Sequence, residues 1–98
     1  MILDWFNTEE VVLFAQEIVR EVNLLFPPLE QKVKVLKEKT YQKKFDGMVG
    51  RIQAFSAKNK LNVYKKAKLL NTIKWEMHDA GHEDLIVDEF ISFITPLL

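Results

Sequence analysis

Apolar side chains recur every three or four residues along most of this 98-residue chain, and nowhere do they alternate with polar ones for long. Side chains at that interval share one face of an α-helix, whereas a β-strand repeats every two residues. With 48% hydrophobic residues, the chain can bury a substantial core. The spacing predicts an all-α fold in which residues 1–98 form a single helical-bundle domain.

The first predicted helix starts at a capping signal, since the side chain of Asn7 can accept a hydrogen bond from a free amide group of the first turn. It stops before Pro27 and Pro28, because the residue before a proline resists the helical conformation. Leu13 and Leu24 lie on its polar side, where no burial is expected. Its apolar face consists of Val11, Val12, Phe14, Ala15, Ile18, Val19, Val22, Leu25 and Phe26.

The second predicted helix begins near Pro28, which suits a first helical turn. Its apolar stripe shifts around the helix halfway along, where Gly47 and Gly50 weaken the helix. A straight helix of this predicted length would reach about 45 Å, well beyond its neighbours. We therefore expect the second helix to be kinked or split near Thr40–Gly50.

The third predicted helix spans about Lys60 to Asp79, and Gly81 provides the left-handed conformation that commonly closes a helix. Its predicted core stripe is Val63, Ala67, Leu70, Ile73 and Met77. The apolar side of the fourth helix is Ile86, Val87, Phe90, Ile91, Phe93, Ile94, Leu97 and Leu98. The sequence thus predicts an antiparallel bundle of four main helices in the order 1-2-3-4, with helix 4 beside helix 1.

Charge is distributed in three blocks, although the chain is neutral overall. Residues 32–74 hold thirteen of the fourteen basic residues and two acids, which gives a net charge of +11. Residues 1–31 and 75–98 carry net charges of −5 and −6. In the predicted order, helices 2 and 3 would form a basic wall and helices 1 and 4 an acidic wall.

Lysines and aromatic residues share one predicted face of the third helix, opposite its core stripe. The candidate binding residues on this face are Lys60, Tyr64, Lys65, Lys68, Asn71 and Trp75, and Leu61 and Thr72 fall on the same arc. Cations beside aromatic rings are typical of nucleic-acid binding, because rings stack on bases and ammonium groups displace counterions. Alternatively, Tyr64 and Trp75 pack at the rim of the core and lysine side chains cover them.

Motifs for metal binding and catalysis are weak. His78 and His82 have the spacing of a shared metal site, but Gly81 would end the helix between them, so no metal site is predicted. Gly47 and Gly50 have the spacing of the loop with which KH domains grip nucleotides, yet no strands are predicted around it. The chain has no cysteine and no phosphate-cradling glycine loop, so no catalytic residue, cofactor or enzymatic activity is predicted.

These features predict a small non-enzymatic protein–protein interaction or regulatory module whose basic wall meets an acidic protein partner. Nucleic-acid binding through the third helix is the alternative, and a membrane surface is weaker because no exposed apolar helix face accompanies the lysines. The wide apolar arcs of helices 1 and 4 predict surplus apolar surface along their shared edge, which either a homodimer covers or the second helix covers by folding over it within one chain. Since no signal peptide or spanning segment is recognisable, we expect a cytoplasmic location.

Overall fold

The computed structural model describes residues 7–25 and 38–98, and every regular element in those ranges is helical. Four helices follow one another, and a short 3-10 turn comes after the last. They are α1 (Glu9–Leu25), α2 (Glu38–Asn59), α3 (Val63–Asp79) and α4 (Asp84–Ile94), followed by the 3-10 turn Thr95–Leu97. The predicted all-α fold with four main helices is therefore confirmed.

Asparagine side chains fix where α1 and α3 begin. Oδ1 of Asn7 accepts a hydrogen bond from the backbone N–H of Glu9 at 3.2 Å, as predicted. Oδ1 of Asn62 accepts one from the backbone N–H of Lys65 at 2.8 Å, and α3 therefore starts three residues later than predicted. Each cap satisfies an amide group that has no partner inside its own helix.

The end of α3 is closed by backbone hydrogen bonds around Gly81, whose φ is 96°. The N–H of Gly81 donates to the carbonyl of His78 at 3.0 Å, and the N–H of His82 donates to the carbonyl of Met77 at 3.1 Å. This pair of bonds needs a left-handed residue at the turn, which glycine adopts without steric cost. The predicted role of Gly81 is confirmed, and the turn sends α4 back along α3.

Helix α2 is continuous over its whole length, so the predicted split near Thr40–Gly50 is wrong, and the alternative of a kink there is not confirmed. Two glycines cost this helix about 1 kcal/mol each in propensity. Tertiary packing outweighs that cost, since Met48 and Ile52 are completely or almost completely buried. The predicted start of the second helix near Pro28 lies outside the described residues.

The helices pack in a different order from the one predicted. Helix α1 packs most extensively against α3 and α3 against α4, while smaller contacts join α2 to α1 and to the 3-10 turn. The rings of Phe14 and Phe55 stack between α1 and α2 with centroids 4.0 Å apart. Those of Phe45 and Phe93 meet between α2 and α4 at 5.4 Å. Around the bundle the described helices therefore follow the order 1-2-4-3.

Helices α1 and α2 still run antiparallel, because Phe14 near the start of α1 meets Phe55 near the end of α2. Short connections fix such directions, but they leave open which helices become neighbours. In the observed order α1 and α4 occupy opposite corners, as do α2 and α3. The predicted placement of helix 4 beside helix 1 is therefore wrong within the described part of the chain.

The core draws apolar side chains from all four helices. On α1 most of the predicted face is buried, although Val12 and Phe14 are only partly buried and Phe26 lies outside the described residues. Leu13 and Leu24 are 62% and 63% exposed, as expected from their position on the polar side. On α4, Ile86 and Phe93 belong to the predicted apolar side but stay partly exposed. The buried core residues are Val11, Ala15, Ile18, Val19, Val22, Leu25, Met48, Ile52, Leu61, Leu69, Ile73, Met77, Val87, Phe90 and Ile94.

The buried face of α3 is rotated by about 60° from the predicted stripe, at 100° per residue. Val63 is 82% exposed and Ala67 is also exposed, so both were wrongly assigned to the core. Leu61, predicted on the outer face, is buried just before the helix begins. Leu61 and the cap at Asn62 together set the rotation with which α3 enters the bundle. The buried residues within α3 are Leu69, Ile73 and Met77.

Candidate functional site

The outward side of α3 carries a row of four residues that includes two aromatic rings. Tyr64, Lys68, Asn71 and Trp75 are separated by four, three and four positions, which aligns them along one side of a helix. All four are exposed, and Trp75 is 68% and Tyr64 46% exposed. We call this row the α3 face. It retains four of the six candidate residues predicted from the sequence.

Cations border the α3 face. Lys68 lies within it and Lys74 lies beside Trp75, and both are exposed. Neither lysine forms a salt bridge with another described residue. The hydroxyl of Thr72 turns back to the carbonyl of Lys68 at 2.7 Å, so this polar group is used inside the helix. The α3 face is therefore aromatic at its ends and positively charged between them.

Lys60 and Lys65, the other two candidate residues, lie away from the α3 face. Lys60 precedes the helix in a left-handed turn with φ 46°, since α2 continues to Asn59. Lys65 is only partly exposed and lines a cavity of about 290 Å³ together with Glu9 and Glu10 at the start of α1. Lys65 thus borders a groove between helices that also carries two acids, because α3 is rotated from its predicted position.

Packing at the rim of the core was the alternative explanation for the aromatic residues. For Trp75 that explanation is wrong, since two thirds of its surface is in contact with solvent. Tyr64 is also exposed, although about half of its surface is covered. An indole ring is one of the largest apolar groups a protein can expose, and covering it is correspondingly favourable. The α3 face therefore offers a specific apolar anchor.

The lysines of α2 do not extend the α3 face into one basic wall. Helices α2 and α3 occupy opposite corners of the bundle, so the exposed Lys43 and Lys44 of α2 lie on a helix that is not a direct neighbour of the one carrying Lys68. The continuous basic wall expected from the order 1-2-3-4 is consequently not formed by the described residues. Positive charge is divided between two separate surfaces.

The two histidines have different partners. Nδ1 of His78 lies 3.2 Å from Oδ1 of Asp84, whereas Nε2 of His82 lies 2.6 Å from Oδ1 of Asn23 on α1. His82 is buried, and desolvation lowers its pKa below the ordinary 6.5. The sequence did not predict the burial of His82, since a polar residue after a helix-ending glycine is expected to lie in an exposed turn.

The remaining motifs do not assemble a chemical site. Gly47 and Gly50 lie within the continuous helix α2, so their spacing does not form a nucleotide-gripping loop. Among residues 7–25 and 38–98, no group of three or more His, Asp or Glu side chains is arranged to hold a metal ion. No described helix combines the length and apolar character that crossing a bilayer requires.

Comparisons with protein families, with curated proteins and with solved structures found no match to this chain. Among the surfaces of the molecule, the α3 face combines exposed aromatic area with positive charge that forms no salt bridge among the described residues.

Proposed function

We propose that this chain is a small, non-enzymatic protein–protein interaction module that binds an acidic protein partner through the α3 face. The observation that carries the proposal is the exposure of Trp75, at 68%. Tryptophan, tyrosine and basic residues are enriched among the few side chains that dominate binding energy at protein interfaces. Trp75 would insert into an apolar pocket of the partner, while Lys68 and Lys74 would meet carboxylates at its rim.

The shape of the α3 face suits a partner helix or an extended acidic segment. Tyr64 and Trp75 are eleven positions apart, which corresponds to about 16 Å along the helix. A second helix laid alongside would reach both rings and the polar residues between them. Acidic side chains on that partner would give rapid, salt-sensitive association, because complementary charges mainly raise the association rate.

Nucleic-acid binding through the same face is the second proposal, favoured by the aromatic rings beside lysines. Two features make it weaker. Rings about 16 Å apart are too distant for successive bases to stack on both. The lysines of α2 and α3 lie on helices that are not direct neighbours, so a single surface can neutralise only a few phosphates. The number of neutralised phosphates largely sets the affinity for nucleic acid.

A pull-down separates the two proposals. The immobilised chain is incubated with cell extract, with and without nuclease, and the retained proteins are identified. Lys68→Glu should abolish specific retention, because it reverses the charge at the centre of the α3 face. Lys58→Glu on α2 is the matched control, since Lys58 is an exposed lysine away from this face, and it should retain the partner.

Two results decide between the proposals. Retention that survives nuclease and depends on Lys68 supports the protein partner. Retention that nuclease removes, together with a gel shift that weakens steeply with salt, would assign the α3 face to nucleic acid instead. Loss of binding in both lysine variants would mean that net charge, and no particular face, controls binding.

Self-association is a separate proposal, and it involves a smaller surface than the shared edge of helices 1 and 4 that the sequence predicted. Leu13 and Leu24 on α1 and Leu85 on α4 are all strongly exposed, but α1 and α4 do not share an edge. A two-fold contact would therefore use one helix only, with the same patch on both copies. Sedimentation at micromolar concentration tests it, since a dimer has twice the chain mass of 11.5 kDa.

A further inference from the structure

A second surface lies between the C-terminal half of α1 and the N-terminal half of α2. It is a cleft of about 670 Å³, within the range typical of small-molecule sites. Leu24 and Leu25 of α1 line it on one side. The opposite side is formed by residues of α2 between Thr40 and Arg51, a distance of about 16 Å along the helix. An elongated ligand would fit this shape.

The side chains around the cleft carry excess positive charge. Lys43, Lys44 and Arg51 line it together with a single described acid, Glu21. Glu21 forms an ion pair with Arg51, which leaves the two lysines without a carboxylate among the described residues. The C-terminal end of α1 adds roughly half a negative charge, less than two ammonium groups carry. The cleft therefore favours an anion.

Gly47 keeps the cleft open beside these cations. It lies three and four positions from Lys44 and Lys43 and four positions from Arg51, so all of them share one side of α2. A Cβ atom built on Gly47 would meet no heavy atom of the described residues within 4 Å. Gly50 has the same open surroundings but does not line the cleft. The missing side chain at position 47 thus leaves room that a ligand could occupy.

We propose that this cleft binds a small organic anion with an apolar chain, of which a medium-chain carboxylate is the simplest example. The carboxylate would lie between Lys43 and Lys44, and its chain would run over Gly47 and against Leu24 and Leu25. Charge and apolar contact act together, because an exposed ion pair alone contributes little in water. The site is independent of the α3 face, which lies on another helix.

Octanoate, octanol and acetate are the probes for this site, titrated into the full chain and followed by backbone amide NMR. Octanoate should shift the amides of Leu24, Lys44 and Gly47 in a saturable manner. Octanol has the apolar chain without the charge, and acetate has the charge without the apolar chain. Each should therefore bind at least about tenfold more weakly than octanoate, a difference of about 1.4 kcal/mol in binding free energy. Trp75→Ala on the α3 face should leave octanoate binding unchanged.

Paired glycine substitutions supply the structural control. Gly47→Leu should fill the cleft and weaken octanoate binding at least about tenfold. Gly50→Leu, three positions along the same helix, should leave binding within about twofold of the original. Both replace an exposed helical glycine by a better helix former, so neither should reduce helicity. Should Gly47→Leu fail to fold, Lys43→Gln combined with Lys44→Gln provides the same test.

Three results would overturn the proposal. The first is the absence of saturable shifts with octanoate at millimolar concentration. The second is equal binding of octanol, which would show that the lysines do not recognise the anion. The third is equal loss of binding in Gly47→Leu and Gly50→Leu, which would place the octanoate away from the cleft.

Discussion

The hydrogen bond between His82 and Asn23 ties the turn between α3 and α4 to α1, and its removal should destabilise the whole bundle. His82 is 7% exposed, and its Nε2 lies 2.6 Å from Oδ1 of Asn23. In the neutral imidazole, Nε2–H donates to this oxygen. Asn23→Ala removes the acceptor and leaves a buried N–H group without a partner, which costs about 1–3 kcal/mol.

Thermal unfolding measures this cost directly. For a chain of this size, 1 kcal/mol corresponds to a change in Tm of about 4–8 °C. Asn23→Ala should therefore lower the Tm by at least about 4 °C. Gln16→Ala on the same helix, at a position that is also partly exposed, is the matched control. It should change the free energy of unfolding by no more than about 0.5 kcal/mol.

The same contact predicts a pH dependence. Burial lowers the pKa of His82, so the unfolded chain takes up the proton more readily than the folded one. Neutral His82 stabilises the folded chain fully at pH values above about 6.5, which is its pKa in the unfolded chain. This stabilisation is lost as the pH falls from that value towards the lower pKa of His82 in the folded chain. The free energy of unfolding, measured with urea, should therefore decrease between about pH 7 and pH 5.

Two histidine variants test the origin of this decrease. His82→Gln should reduce the dependence on pH over this interval, whereas His78→Gln should leave the His82 component in place. An identical pH slope in the original chain and in His82→Gln would show that His82 is not the source of the decrease. An unchanged Tm in Asn23→Ala would show that the hydrogen bond adds no net stability. Either result would mean that water reaches His82 readily enough to replace Asn23.

Three further predictions follow from burial and backbone geometry. Leu69→Ala should lower the free energy of unfolding by about 2–5 kcal/mol, because it leaves a cavity in the core. Val63→Ala at an exposed position should lower it by less than about 0.5 kcal/mol, and urea denaturation of both variants checks the rotation of α3. Lys60→Gly should stabilise the chain by about 1 kcal/mol, since φ 46° is unfavourable for lysine, and Tm reports it. Gly50→Ala should raise the free energy of unfolding by about 0.5–1 kcal/mol, because the added methyl group meets open space within a helix; an unchanged urea midpoint would contradict this.

The sequence predicted α1 best because that helix has strongly different faces. Its apolar residues lie on one side, and the two leucines outside that side, Leu13 and Leu24, are indeed exposed. The cap at Asn7 and the turn at Gly81 were also predictable, since each depends on one residue and its immediate neighbours. Local signals of this kind need no knowledge of the rest of the fold.

The rotation of α3 could not be read so reliably from its own residues. Apolar or aromatic side chains occur around most of this helix, including Val63 and Trp75 outside and Leu69 inside, so the two faces differ little in hydrophobicity. Packing against α1 and α4 decides which residues are buried. The same is true of the order 1-2-4-3 and of the buried His82, which depend on contacts between distant segments.

The affinity of a purified partner for Trp75→Ala shows whether the α3 face is the binding surface. Leu13→Ala is measured beside it, because Leu13 is a large apolar residue of similar exposure on α1. If Trp75 is the apolar anchor, its removal should cost at least about 2 kcal/mol, or roughly a thirtyfold weaker Kd, while Leu13→Ala binds as the original chain does. An unchanged Kd for Trp75→Ala would place the interface on another surface.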